Sequence, residues 1–385
     1  MMQLGTKVNL VVCQKSKVED WLEHFDNYDT EALNMSVWNL TIDAGMKSFF
    51  EDFNDCEIVV GVINYDLLWR RKELLTLENF TLICDESGLI SNETAKRTKA
   101  VMKLKAKNVL LLSGTICGGK YERLWSQMHL LGWDISKKLY WNTFINVEYL
   151  DTVGGKSIPI VTGYKNVERL KRKMREHGCQ FLKTDEVFDL PEQVFQQVKV
   201  DQSKQYKTFR KKRIVDIDGR TLVGDTTLTK MLYERQLCGQ YSEEKLKAFT
   251  DLLDSTEERL IVFYNFTDEL KALQKLTDRP QSIVNGETKD LSAYEQHEDS
   301  ITFVQYQAGA MGLNLQKSCR MIFYSLPLSS ELFEQAKKRI HRIGQQHTCF
   351  YYILMCRGSI EEKVLTTLEK RQNYTEKLFE QDEYT

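Results

Sequence analysis

Proline is scarce in this chain, 4 in 385 residues, and no stretch is rich in Pro, Gly or Ser, so no low-complexity linker divides it. Long hydrophobic runs are missing as well. None approaches the ~18 apolar residues of a membrane span, and the apolar run after residues 1–7 lacks the length of a secretory signal. No membrane partner is expected. Charge of one sign is also lacking, with 53 Lys and Arg against 55 Asp and Glu, so any nucleic-acid surface must be a local feature. The nine cysteines include no Cys-x-x-Cys pair and no Cys/His cluster. That usage argues against a disulfide framework or a zinc module and fits a reduced, cytoplasmic setting.

What the sequence does have is a recurrence of short, continuous apolar runs. They fall at 8–13, 57–63, 82–84 and 109–112, and again at 260–264, 301–306, 321–325 and 350–355. Runs without polar alternation fit strands covered on both faces, as in parallel sheets flanked by helices. Two sets predict two α/β lobes, residues 1–164 and 256–385. Between them, at 165–255, Val167, Leu170 and Met174 line one face of a stretch rich in Lys and Arg. This segment reads as a helical insertion and inter-lobe linker. Near the C-terminus, Ser359 and Glu362 have capping-box spacing ahead of an apolar stripe of Ile360, Val364, Leu365 and Leu368.

Chemistry in open parallel sheets sits at the carboxyl ends of the strands. Asp85 and Glu86 follow the run 82–84. In phosphoryl transfer one such carboxylate holds Mg²⁺ and a neighbour positions the attacking water, although an acidic pair after a strand is more often solvated loop charge. Ser113-Gly114-Thr115 follow the next run. Their hydroxyls suit phosphate sensing beside a carboxylate pair, while an ordinary strand-ending turn is the plainer reading of these three alone. In the second half, 309–314 is a glycine turn after a strand, and Gly312 lets backbone approach a ligand closely. Gln335, Arg339 and Arg342 are spaced i, i+4, i+7. On a helix they share a face, and two guanidiniums there suit bidentate contact with phosphate oxygens.

Taken in order, these segments resemble the motifs of Swi/Snf-type superfamily-two DNA helicases and translocases. Val11-Val12-Cys13-Gln14-Lys15-Ser16 with Glu19-Asp20-Trp21 is similar to motif Ia, and Val62-Ile63-Asn64-Tyr65 to motif Ib. Asp85-Glu86-Ser87 resembles motif II, Ser113-Gly114-Thr115 motif III, and 260–266 motif IV. Gly312-Leu313-Asn314-Leu315 resembles motif V and 335–345 motif VI, where His341-Arg342-Ile343-Gly344-Gln345 is the most specific piece. Residues 181–184 with Leu190-Pro191 resemble the segment that leaves the first lobe.

The resemblance implies two RecA-like lobes with parallel sheets, ATP between them and DNA across their tops. Asp85 would coordinate Mg²⁺ and Glu86 would polarise the attacking water. Arg339 and Arg342 would act as arginine fingers, each worth ~10³ to 10⁵ in rate. Ser113, Thr115, Gly312 and Gln335 would contact the nucleotide. Lys15, Ser16, Asn64, Asn265 and Asn314 would follow the DNA backbone without reading sequence. The compact size and the absence of chromatin-targeting extensions resemble bacteriophage or bacterial versions, acting in a bacterial cytoplasm.

Two departures concern coupling. Ser87 and Gly88 stand where motif II usually ends in His, and Ile116 stands where a proline commonly follows the motif III threonine. A third concerns chemistry. A phosphate loop needs a glycine-rich turn from strand to helix ending in Lys and Ser or Thr. Gly154-Gly155-Lys156-Ser157 has that ending, but Leu150 replaces the first glycine and an extended segment follows. Gly118-Gly119-Lys120 ends in Tyr121. The expectation is a first lobe truncated at its N-terminus, whether as a fragment, a split gene product or a degenerate copy. A separate polypeptide would then supply the missing segment. The alternatives are a catalytically inactive DNA- or protein-binding remnant, or the motor subunit of a nuclease or restriction system. Basic clusters at 96–107, 169–175 and 207–213 read as solvated helix faces.

Overall fold

The structure, a computed structural model, describes residues 4–28, 30–114, 116–151, 157–181, 188–309 and 312–379. It is α/β and divides into two compact units, Met1–Phe181 with Asn373–Thr385, and Leu182–Gln372.

The sheet of the first unit contains β1 (Val8–Cys13), β2 (Met35–Asn39), β3 (Ile58–Asn64), β4 (Phe80–Cys84) and β5 (Asn108–Leu111). Their order is β2-β3-β1-β4-β5, every pairing parallel. Central β1 is buried throughout, which is why Val-Asn-Leu-Val-Val-Cys reads as a continuous run. Alternate residues feed opposite cores: Leu10, Val12 and Leu82 meet Phe49 and Phe80 on one face, and Val11, Cys13 and Val62 meet Phe25 on the other. At Gly61 a Cβ would lie 2.5 Å from Leu40 Cδ1 and 2.8 Å from Phe49 Cε2, so the close helix packing requires glycine. Beyond the sheet, β6 (Ile145–Asp151) and β7 (Ser157–Tyr164) form an antiparallel hairpin. The adjoining core holds Tyr121, Tyr140, Phe144, Leu170 and Met174.

The second unit contains β8 (Gln193–Val200), a hairpin of β9 (Ile214–Ile217) and β10 (Arg220–Val223), and β11 (Leu260–Tyr264). Then follow β12 (Gln281–Val284), β13 (Lys289–Asp290), β14 (Ile301–Gln305), β15 (Arg320–Phe323) and β16 (Cys349–Cys356). Its large sheet runs β13-β12-β14-β11-β15-β16-β8, parallel except for β12 with β13.

The segment 165–255 is more than the helical insertion that its periodicity suggests. It holds helices Val167–Glu176, Lys204–Lys212, Thr227–Cys238 and Glu243–Asp254, but also β8 and the β9–β10 hairpin. Strand β8 pairs with β16 along its whole length. Its Gln-Val-Phe-Gln-Gln-Val-Lys-Val alternates polar and apolar because it is an exposed outer strand, so no apolar run marks it. The division between the compact units, at 181/182, falls within this segment.

The final helix, Ile360–Phe379, buries Leu365 and Leu368 as the stripe predicts. Its start differs from a reciprocal capping box. Ser359 Oγ accepts from Glu361 N, and Glu362 reaches Gly358 N at 3.0 Å, not Ser359 N. Glu361 turns inward, pairs with the buried Lys245 ammonium and accepts from Cys356 N at 2.9 Å. Among the described residues no helix is long and apolar enough to cross a membrane.

Candidate functional site

In a fully parallel sheet the carboxyl ends of all strands share one edge, and four expected motifs leave the first sheet there. Asp85, directly after β4, is fixed from several sides. Its N–H donates to Val12 O at 2.9 Å, and Trp21 Nε1 donates to Oδ2 at 3.1 Å. Oδ1 accepts from Glu86 N at 3.0 Å, and Tyr65 OH donates to its backbone O at 2.7 Å. Burial pushes the Tyr65 hydroxyl far above its ordinary range, so it remains a donor. A carboxylate has about four acceptor sites, so Asp85 retains capacity for a cation. A single carboxylate completed by phosphate oxygens and water is a common mode of Mg²⁺ binding. Glu86 sits in left-handed backbone, φ 49° and ψ 53°, a conformation that costs a non-glycine residue on the order of 1 kcal/mol.

The two coupling departures meet at one side chain. Ser87, one of the two residues at the departing end of the acidic motif, is buried and donates to Gln127 Oε1 at 3.1 Å. Gln127 Nε2 in turn donates to Ile116 O at 2.8 Å. Ser87 N also donates to Leu112 O at 2.8 Å, joining the acidic turn to the end of β5. Ser113 follows that end half-buried; Thr115 lies outside the described residues.

Lys15 and Ser16 are exposed in the turn Lys15–Lys17 after β1. Asn64 is not on the surface. Strand β3 runs one residue past the apolar run, leaving Asn64 3% exposed with a buried Oδ1.

In the second unit the arginine helix is shorter than its spacing predicts. It spans Ser330–Lys337, so Gln335 is helical while Arg339 and Arg342 lie in the following turn. The i, i+4, i+7 face therefore does not exist as a helix face. Arg339 N donates to Ala336 O, a three-residue closure that tightens the end, and Gly344 completes the reversal at φ 95°. The guanidiniums still come together. Arg339 Nη1 donates to Leu313 O at 3.3 Å and Arg342 Nη1 to the same oxygen at 3.4 Å. Arg342 also bonds Asn314 Oδ1, and Leu315 N donates to Arg339 O. Gly312, at φ 85°, begins this loop. Gln345 is buried and secures the far side through Gln316 O, Ser318 O and Ile340 O.

Asn265, at the carboxyl end of β11, places its amide on Ser325 and Leu326. Buried Glu269 accepts from Asn265 N, Phe266 N and Ser325 Oγ. Sequence reasoning named Trp21 and Tyr65 only as motif members, without their contacts to Asp85, and missed Gln127 and Glu269. Among the described residues, the thiol and carboxylate group close enough to share a metal is Cys238, Cys356 and Glu361. The Lys245 ammonium already neutralises that carboxylate.

An acidic turn on a central parallel strand in one unit, and paired arginines against a glycine turn in the other, define an α/β protein of two RecA-like lobes. The chain belongs to the SNF2-related family. It matches the SNF2-related domain over residues 2–243 and the helicase conserved C-terminal domain over residues 244–344. An uncharacterized ATP-dependent helicase of Mycoplasma genitalium is 21% identical over 97% of this chain and 37% of that protein. The ISWI chromatin-remodeling complex ATPase of Saccharomyces cerevisiae is 22% identical over 92% of this chain and 34% of that protein. The chain thus spans about a third of the length of these relatives. The solved Sulfolobus solfataricus SWI2/SNF2 ATPase core in complex with dsDNA is 19% identical over 97% of this chain and 83% of that one, with a TM-score of 0.42.

Proposed function

We propose that the chain is motor machinery of a DNA-dependent ATPase, a helicase or translocase, in which both units serve one ATP. The observation that supports this most is the fixation of Asp85 by Val12, Trp21 and Tyr65 at the carboxyl edge of the first sheet. Mg²⁺, when bound, supplies charge neutralisation to the phosphate oxygens. Asp85 would hold it with the oxygen capacity left by Trp21 and Glu86 N. Glu86 orients the attacking water and accepts its proton. Arg339 and Arg342, gathered at Leu313, offset the charge that develops on the transferred phosphoryl group. Ser113 and Gln335 contact the nucleotide, and Lys15 and Ser16 contact the DNA backbone.

The reading includes a phosphate loop supplied by a separate polypeptide, because the Gly-Gly-Lys-Ser string of this chain lacks the context of one. Ser157, which ends the Gly-Gly-Lys-Ser string, opens strand β7, whereas a phosphate loop leads into a helix N-terminus. Co-expression with the polypeptide encoded immediately upstream is expected to raise DNA-stimulated ATP hydrolysis well above that of the chain alone. DNA binding that persists with no hydrolysis under either condition contradicts the motor reading. It would favour the second one, a DNA-binding protein without catalysis, to which the strand at Ser157 also points.

A further inference from the structure

The short helix Tyr65–Leu68 leaves the carboxyl end of β3 and delivers Trp69 and Arg70. Helix Lys96–Val101 follows β4 and the acidic turn. Both segments bring a cation to the same indole. The Arg70 guanidinium lies 4.9 Å from the Trp69 ring centroid and Lys96 Nζ lies 4.8 Å from it, with the ring 39% exposed.

Two other cations of this unit are neutralised: Arg71 pairs with Asp43, and Lys137 with Glu93. Among the described residues, neither Arg70 nor Lys96 pairs with a carboxylate. Lys99, one turn beyond Lys96, is exposed too. The ring face attracts each cation, but the cations repel each other. An anion bridging them would remove that repulsion. With a cation from each of two segments over it, the indole suits a scaffold role better than that of a stacking platform for bases. The basic run at 96–107 is thus more than a solvated face, since its first residue is ordered over an aromatic side chain supplied by another segment.

We propose that Arg70 and Lys96, held by Trp69, form a clamp for the phosphate backbone of nucleic acid, with Trp69 as the positioning residue. This rests on the DNA-binding reading above and adds a contact outside the recognised motifs. Each phosphate contact on duplex DNA adds about 0.9 to the slope of log affinity against log salt.

The test is fluorescence anisotropy with a labelled random-sequence duplex at a series of salt concentrations. Arg70→Gln and Lys96→Gln are each expected to flatten the slope by roughly 0.9. Lys247→Gln, an exposed lysine of the second unit, should leave it unchanged. Trp69→Ala removes no charge yet should flatten the slope, and Trp69→Phe should restore it; circular dichroism of both variants checks folding. A wild-type protein whose DNA binding is absent or salt-independent overturns the DNA reading itself. A steep wild-type slope that Arg70→Gln and Lys96→Gln leave intact overturns the clamp alone.

Discussion

In the proposed mechanism Glu86 carries two demands at once, a left-handed backbone, which it has, and a carboxylate that serves as base. Glu86→Gln keeps the shape and removes the base. ATP turnover is therefore expected to fall about 10² to 10⁴-fold while fluorescent-nucleotide affinity is retained; an unchanged turnover number would remove Glu86 from the mechanism. Asp85 and Glu86 were legible in the sequence because they end an apolar strand. Their partners were not. Trp21 and Tyr65 reach Asp85 from 64 and 20 residues away, contacts that only the strand order β3-β1-β4 creates. The cysteines add a prediction of their own. Burial pushes the thiols of Cys13, Cys84 and Cys117 from 9.0 to about 12. Since the folded values exceed the unfolded one, the stability these thiols contribute is complete below pH 9 and is lost as pH rises towards 12. Urea midpoints measured from pH 8 to 11 should decline, and a flat profile would contradict the assignment.

At the scale of elements, the buried strands announced themselves and the outer ones did not. Strands β1, β4 and β11 are covered on both faces and appear as apolar runs, whereas β2 and β8 are partly exposed and alternate or carry polar residues. The arginine turn shows a different limit. Spacing grouped Gln335, Arg339 and Arg342 on a helix that in fact ends at Lys337. What gathers the arginines is a shared carbonyl, Leu313 O, which periodicity cannot reveal. Packing gives two stability predictions. Gly61→Ala in β3 inserts a methyl against Leu40 and Phe49 and should cost about 1–3 kcal/mol, read from the urea midpoint. Lys245→Ala leaves Glu361 buried without its cation and should cost about 3–5 kcal/mol. Replacing both partners by apolar residues of similar volume should cost much less. If the double replacement is as damaging as the single one, the uncompensated charge is not the cause.

For the whole molecule, the proposed function requires that carboxylates of one unit and guanidiniums of the other act on a common substrate. The two-lobe α/β architecture was legible from the two sets of apolar runs, and the family match over residues 2–243 and 244–344 agrees with it. The most direct measurement is DNA-stimulated ATP hydrolysis by the natural protein, comparing wild type with Glu86→Gln, Arg342→Gln and the double variant. Groups that act on one transition state lose activity non-additively. Each single variant is expected to lose at least about 10²-fold, and the double variant little more than the weaker single. Wild-type turnover by Arg342→Gln, or losses that multiply in the double variant, would contradict a shared site.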